Sequence, residues 1–305
     1  MEFILKDDCF FSQEWTSLIG LPSVGNVGQL TIDCLISTIR RDGHDVERIG
    51  CIESSLLLPF SGRDSMNEKI CLCFPFEVYA CVHYKIHFFI QRAQVVLGKQ
   101  QQFYQQLGNL LTNDLASNAF LILTGASLGT VLEESLPLAK RKFYVPFYSS
   151  NIETELFLSK LVDSDEDDVW KKLEPIDVCF DDSFVMIDQQ KIESSSDLEI
   201  LQKQHHLLTS VFDFSADNNN SSGSGKKSND VISSAGSARL LYGSMKCGKV
   251  AIMGKYVHDG DNRDDAIELA FIFITNILQS NKNDKILLQV PQSWETIGGT
   301  ETGTV

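Results

Sequence analysis

The chain has 305 residues, of which 43% are hydrophobic, and its formal net charge is −15. This size and composition suit one large domain or two small ones with a substantial core. An acidic chain repels phosphates, so nucleic-acid binding and attachment to an anionic membrane surface are disfavoured, whereas a protein partner with basic patches is favoured.

The eight cysteines are scattered, mostly within apolar runs. This distribution is typical of reduced thiols packed in the core of a cytosolic or nuclear protein. Cys71 and Cys73 do not form a C-x-x-C pair, so no zinc site is expected. The longest apolar stretches stay below about 18 residues without a charge, which predicts no membrane span. The N-terminal segment 1–8 is acidic overall and lacks the basic start of a signal peptide.

The first predicted elements surround a glycine turn. A strand over residues 15–24 leads into Gly25 and Gly28, which let the backbone bend and approach its neighbours because neither carries a Cβ. The apolar residues of 27–39 cover most of a helix circumference, so this helix is expected to be buried on nearly all sides. A glycine turn that opens a helix can also bind phosphate. The spacing G-x-G-x-x-G is missing, which favours the structural interpretation.

The next elements alternate between strands and a helix. A short apolar run in 47–58 predicts a strand and its turn, and the alternation of apolar and mixed positions in 78–90 predicts one strand. Residues 98–116 have the pattern of an amphipathic helix. The continuous apolar run 119–124 predicts a strand buried on both faces. A strand, a helix and another buried strand in succession favour an α/β sandwich.

The second half of the chain contains a long polar stretch. Residues 215–238 are low in complexity and predict a flexible insertion, because they bury too little apolar surface to offset the entropy of ordering. A strand over 249–257 follows, and then a strongly apolar helix begins near Arg263, capped by Asp261 or Asn262. This helix is expected to be covered by the sheet or by another protein. The remaining predictions are helices over 151–162 and 197–212, a strand over 178–187 and a solvated acidic loop over 163–168.

A match to the nucleophile elbow G-x-S-x-G lies directly after the buried run. It covers residues 125–129, and Ser127 would be the nucleophile of a serine hydrolase of the α/β type. His258 is available as a base and Asp213 as one of many acids. An upstream His-Gly-Gly oxyanion stretch is missing and Pro137 interrupts the helix that should carry the serine, so an ordinary strand-to-loop turn is the favoured interpretation.

Two further matches to chemical motifs are weaker. Residues 243–249 fit most of a P-loop, but Val250 stands where Ser or Thr would hold magnesium. His83 and His87 have a spacing that suits zinc on a helix, but on a strand they are roughly 13 Å apart. They are therefore interpreted as residues of a polar face. The sequence predicts no catalytic residue, cofactor or metal site.

Seven short segments point to a family by their residues and by their order. The most specific are the turn Ser-Val-Gly-Asn-Val-Gly-Gln-Leu and the turn Gly-Asp-Asn with the apolar helix after it. The full set is residues 23–30, 49–59, 77–79, 91–92, 240–242, 260–262 and 291–294. Over nearly its whole length the chain resembles the eukaryotic proteasome assembly chaperone 2 family.

That resemblance implies a fold, a role and a set of positions. The expected fold is a three-layer α/β sandwich, with a central sheet flanked by helices, like that of nucleoside phosphorylases, in a single proteasome-assembly-chaperone domain over 1–305. The motif positions, with a structural or interface role, are Ser23, Val24, Gly25, Asn26, Val27, Gly28, Gln29, Gly260, Asp261, Asn262 and Trp294.

The resemblance also implies partners and a location. It implies a chaperone without enzymatic activity in the cytoplasm and nucleus, which forms a heterodimer with proteasome assembly chaperone 1. The pair would hold proteasome α subunits, promote α-ring assembly of the 20S proteasome and prevent off-pathway association of α rings. Residues 302–305 lack the hydrophobic-Tyr-any ending of the partner chaperone, so insertion of this tail into the ring is not expected. A nucleoside-processing enzyme is a third hypothesis, which rests on fold analogy alone.

Overall fold

A nine-stranded mixed sheet forms the centre of the part of the chain that is described. The computed structural model describes residues 1–6, 15–60, 73–115, 117, 119–127, 142–145, 171–172, 236–245, 250–258, 260–274, 288–291 and 294. The strands are β1 (Glu2–Leu5), β2 (Thr16–Gly20), β3 (Glu47–Glu53), β4 (Phe76–Cys81), β5 (Ile86–Gln91), β6 (Ala119–Ser127), β7 (Lys142–Val145), β8 (Lys171–Lys172) and β9 (Val250–Val257). Their order across the sheet is β1-β3-β4-β5-β2-β6-β9-β7-β8.

The middle of the sheet is parallel. Strand β2 pairs in parallel with β5 and β6, and β6 pairs in parallel with β9. Both β6 and β9 are buried along their whole length, which is why the run 119–124 reads as continuously apolar. Because these four strands run the same way, their carboxyl ends lie along one edge of the sheet.

Helices cover both faces of this sheet. Among the described residues, the α-helices are α1 (Val27–Arg41), α2 (Gln100–Leu110), α3 (Gly236–Ser244) and α4 (Arg263–Phe273). Helices α1 and α4 pack together on one face, and α2 and α3 pack together on the other. The predicted three-layer α/β sandwich is therefore confirmed.

Helix α1 is buried on nearly all sides, as its apolar pattern predicts. The sheet covers one side of it and α4 covers another. Its polar side chains within this packing have partners. The hydroxyl of Thr31 donates to the carbonyl oxygen of Val27 at 2.7 Å, and the hydroxyl of Thr38 accepts the backbone N–H of Gln289 at 2.9 Å. A buried polar group without a partner would cost free energy, so these bonds permit the burial.

The prediction of one strand over 78–90 is wrong. The chain turns back between Val82 and Lys85, so that β4 and β5 pair as an antiparallel hairpin. Lys85 has φ 55°, and its N–H donates to the carbonyl oxygen of Val82 at 3.2 Å. The alternation that suggested one long strand belongs to two strands with a turn between them, and this turn carries neither Gly nor Pro.

The predicted insertion over 215–238 also needs a correction at its end. Residues 236–238 form the first turn of α3, and Ala238 is fully buried in the core. Residues 215–235 lie outside the described part of the chain, as do the elements predicted over 151–162, 163–168, 178–187 and 197–212. The helix predicted over 98–116 is confirmed as α2 and the π-helical turn Leu111–Leu115 that continues it. Among the helices described, none has the length and hydropathy that a membrane crossing requires.

Candidate functional site

The motif turn lies at the edge of the sheet where the parallel strands end. It follows the last residue of β2 and forms a short 3-10 turn over Val24–Asn26 before α1 begins. In α/β sheets this edge, at a point where successive connections go to opposite faces, is where ligands bind. We therefore treat the residues at this edge as the candidate functional site.

The structure brings the two predicted motif turns into contact. Gly25 has φ 63° and Asn26 has φ 54°, so both lie in the left-handed region. A Cβ built on Gly25 would lie 2.9 Å from the Cβ of Asn262 and even closer to its side-chain amide. Asn262 is buried, and its amide donates to the carbonyl oxygen of Gly260 at 2.9 Å. The space beside the glycine turn, where a phosphate would approach, is filled by this side chain.

The same turn packs directly on β6. The hydroxyl of Ser23 accepts the backbone N–H of Gly125 at 3.0 Å. A Cβ built on Gly28 would lie 2.6 Å from the carbonyl carbon of Leu123. The side-chain amide of Gln29 donates to the carbonyl oxygen of Gln91 at the end of β5. These contacts give the motif positions packing partners, while their role in binding stays a prediction.

A buried ion-pair network connects α1 to the strands beside this turn. Arg92 follows β5 and binds both carboxylate oxygens of Asp33 on α1, at 2.7 and 2.8 Å. Its Nε also donates to Glu77 on β4 at 3.1 Å, and Arg48 on β3 donates to the other oxygen of Glu77 at 3.1 Å. Burial acts to lower the pKa of Arg92, but the carboxylates of Asp33 and Glu77 outweigh it and raise the pKa, so the guanidinium stays charged.

A second ionic cluster lies under α4. The ammonium of Lys255 on β9 pairs with Asp265 at 2.8 Å and with Glu268, and the ammonium of Lys142 on β7 lies 3.1 Å from Glu268. Both lysine side chains are almost fully buried. Asp265 lies in the first turn of this helix, where the helix dipole favours an anion, and the buried ammonium of Lys255 adds a cation as its partner.

Trp294 packs near the start of the same helix. It is buried in the cluster formed with α1 and α4, and its carbonyl oxygen accepts a hydrogen bond from Arg263 at 3.0 Å. The Nε of Arg263 also bonds Asp261 at 2.9 Å. This bond lowers the pKa of Asp261. The three segments that contain Gly25, Asn262 and Trp294 therefore meet at one end of the molecule.

Comparisons with known proteins show what this chain is similar to. Over 102 residues the chain is 35% identical to proteasome assembly chaperone 2 of Xenopus tropicalis, a match that covers 32% of the chain and 37% of that protein. A match to proteasome assembly chaperone 2 of Xenopus laevis is 35% identical over 96 residues and covers 30% of the chain and 35% of that protein. The predicted resemblance to the proteasome assembly chaperone 2 family is confirmed over about a third of the chain, and its extent over nearly the whole length stays a prediction. No family model matches the chain.

The sequence match to proteasome assembly chaperone 2 covers only part of each protein. The chain spans little more than a third of the length of the Xenopus relatives that it matches. At the level of fold it is similar to PbaA of Pyrococcus furiosus, an archaeal homologue of proteasome-assembly chaperone, with a TM-score of 0.51 and 12% identity. That superposition covers 92% of this chain and 86% of PbaA. The three-layer sandwich is thus common to both.

The serine-hydrolase motif does not adopt the geometry that a nucleophile elbow requires. Ser127 is still part of β6, in register with Val257 of β9, whereas an elbow serine sits on a sharp turn after the strand. His258 follows β9 and is exposed. Asp213, Pro137 and Gly129 lie outside the described residues. The favoured interpretation, an ordinary strand-to-loop turn, stays a prediction, because β6 runs to Ser127 and residues 128–129 lie outside the described part of the chain.

The P-loop match also fails on geometry. Gly243 lies in the last turn of α3, and Val250 begins a strand, so this segment opens no helix towards a phosphate. The strand predicted over 249–257 is confirmed as β9, and residues 246–249 lie outside the described part.

The prediction that His83 and His87 both belong to a polar face is wrong for His87. His87 lies on β5 with no exposed surface, and its ring stacks on Trp15 with the centroids 4.7 Å apart. Burial lowers the pKa of His87 to about 4, so it is neutral at pH 7. His83 lies in the hairpin turn and stacks on His44 at 3.8 Å. Among the described residues, no group of three or more His, Cys, Asp or Glu side chains could hold a metal ion.

Sequence reasoning missed the buried charges at this site. Asp33 stands in the middle of an otherwise apolar helix, which is a signal for an ion pair because an isolated buried carboxylate is costly. Glu77 and Arg92 belong to segments that carried the family resemblance, but the sequence did not indicate that they bind each other. The contact between Glu77 and Arg92 places the segments 77–79 and 91–92 in one buried ion-pair network.

Proposed function

We propose that this chain is a proteasome assembly chaperone. In this proposal it forms a heterodimer with proteasome assembly chaperone 1, promotes assembly of the α ring of the 20S proteasome and prevents off-pathway association of α rings, in the cytoplasm and the nucleus. The observation that carries the proposal is the 35% identity over 102 residues to proteasome assembly chaperone 2 of Xenopus tropicalis. The whole chain, 1–305, is proposed to act as one domain.

The character of the candidate site disfavours chemistry on a small molecule at this edge of the sheet. The space beside the glycine turn is filled by Asn262, and the charged groups behind it pair with one another. Such a site is a packed structural joint, whereas an enzyme site needs a cleft with convergent reactive groups. The net charge of −15 favours association with basic surfaces, which we propose are carried by the α subunits.

Two experiments test the proposal. The tagged chain is expected to recover proteasome assembly chaperone 1 and α subunits from a lysate of its source organism, without β subunits, when the bound proteins are identified by mass spectrometry. Co-expression with proteasome assembly chaperone 1 is expected to give a one-to-one complex in size-exclusion chromatography. A stable monomer that ignores this partner and recovers no α subunits would overturn the proposal.

A further inference from the structure

We draw no further inference here: the strongest candidate, the surface patch of exposed apolar side chains formed by Leu58, Phe60 and Phe74 beside the ends of β3 and β5, adjoins residues 61–72, which lie outside the described part of the chain, so nothing in the structure shows what covers it.

Discussion

Replacing Gly28 by Ala tests the contact between the motif helix and the sheet. The new Cβ would overlap the carbonyl oxygen of Leu123, which is its nearest atom, and would lie 2.6 Å from the carbonyl carbon of Leu123 and 3.2 Å from the backbone nitrogen of Thr124. Carbon atoms in ordinary contact are about 3.5–4.0 Å apart, so α1 would have to move away from β6 by roughly 1 Å. The obstructing atoms belong to the backbone of a buried strand, which cannot rotate away as a side chain can.

Two opposing terms set the size of the effect. Overpacking a buried site costs typically about 1–3 kcal/mol, and a backbone obstacle places this site at the upper end. Alanine in place of glycine within a helix raises the free energy of unfolding by about 1 kcal/mol, because alanine has the higher helix propensity. The steric term is larger, so we expect Gly28→Ala to lower the free energy of unfolding by about 2 kcal/mol and the melting temperature by roughly 4 °C, at about 2 °C per kcal/mol for a chain of this size.

Thermal unfolding followed by circular dichroism measures this change. Gly43→Ala is the control, because it lies just after the same helix with open space around it and φ 86°. Its cost is limited to the left-handed conformation, about 1 kcal/mol. A melting temperature of Gly28→Ala equal to or above that of the wild type would refute the close approach of α1 to β6.

Three further predictions concern groups elsewhere at the site. Arg92→Met should cost about 3–5 kcal/mol in urea unfolding, because it leaves the carboxylates of Asp33 and Glu77 without their shared cation in a buried place; a loss below about 1 kcal/mol would contradict the network. The folded-state pKa of His87 is about 4, below its ordinary 6.5. The unfolded chain therefore binds more protons between these values, and stability falls as the pH drops from 6.5 towards 4. Unfolding curves of the wild type and His87→Phe should diverge over this window by about 3 kcal/mol, and parallel curves would disprove the assignment. For Ser127→Ala we expect the turnover of a p-nitrophenyl ester to equal that of the wild type; activity that vanishes in the variant would instead support the hydrolase hypothesis.

The fold was largely predictable because its elements have strong local patterns. The run in β6 and the apolar circumference of α1 identified buried elements from residue type alone. The hairpin between β4 and β5 was missed because its turn lacks Gly and Pro, while Lys85 adopts a left-handed conformation that side chains of its type rarely take. Helix α3 was not predicted at all, because polar, low-complexity residues precede it without a break in composition.

The candidate site was predictable only in part. The two motif turns were identified separately, and nothing in either turn indicated that Gly25 faces Asn262.

The sequence by itself determined the fold class, the buried helix after the glycine turn and the family that the chain resembles. These features depend on periodicity and on residue order over short distances. Only the tertiary structure decided which charges pair and which turns touch. Asp33 and Arg92 are 59 positions apart, and Ser23 and Gly125 are 102 positions apart. Pairing over such distances follows from the strand order and from the face on which each helix packs, and neither is encoded in any local pattern.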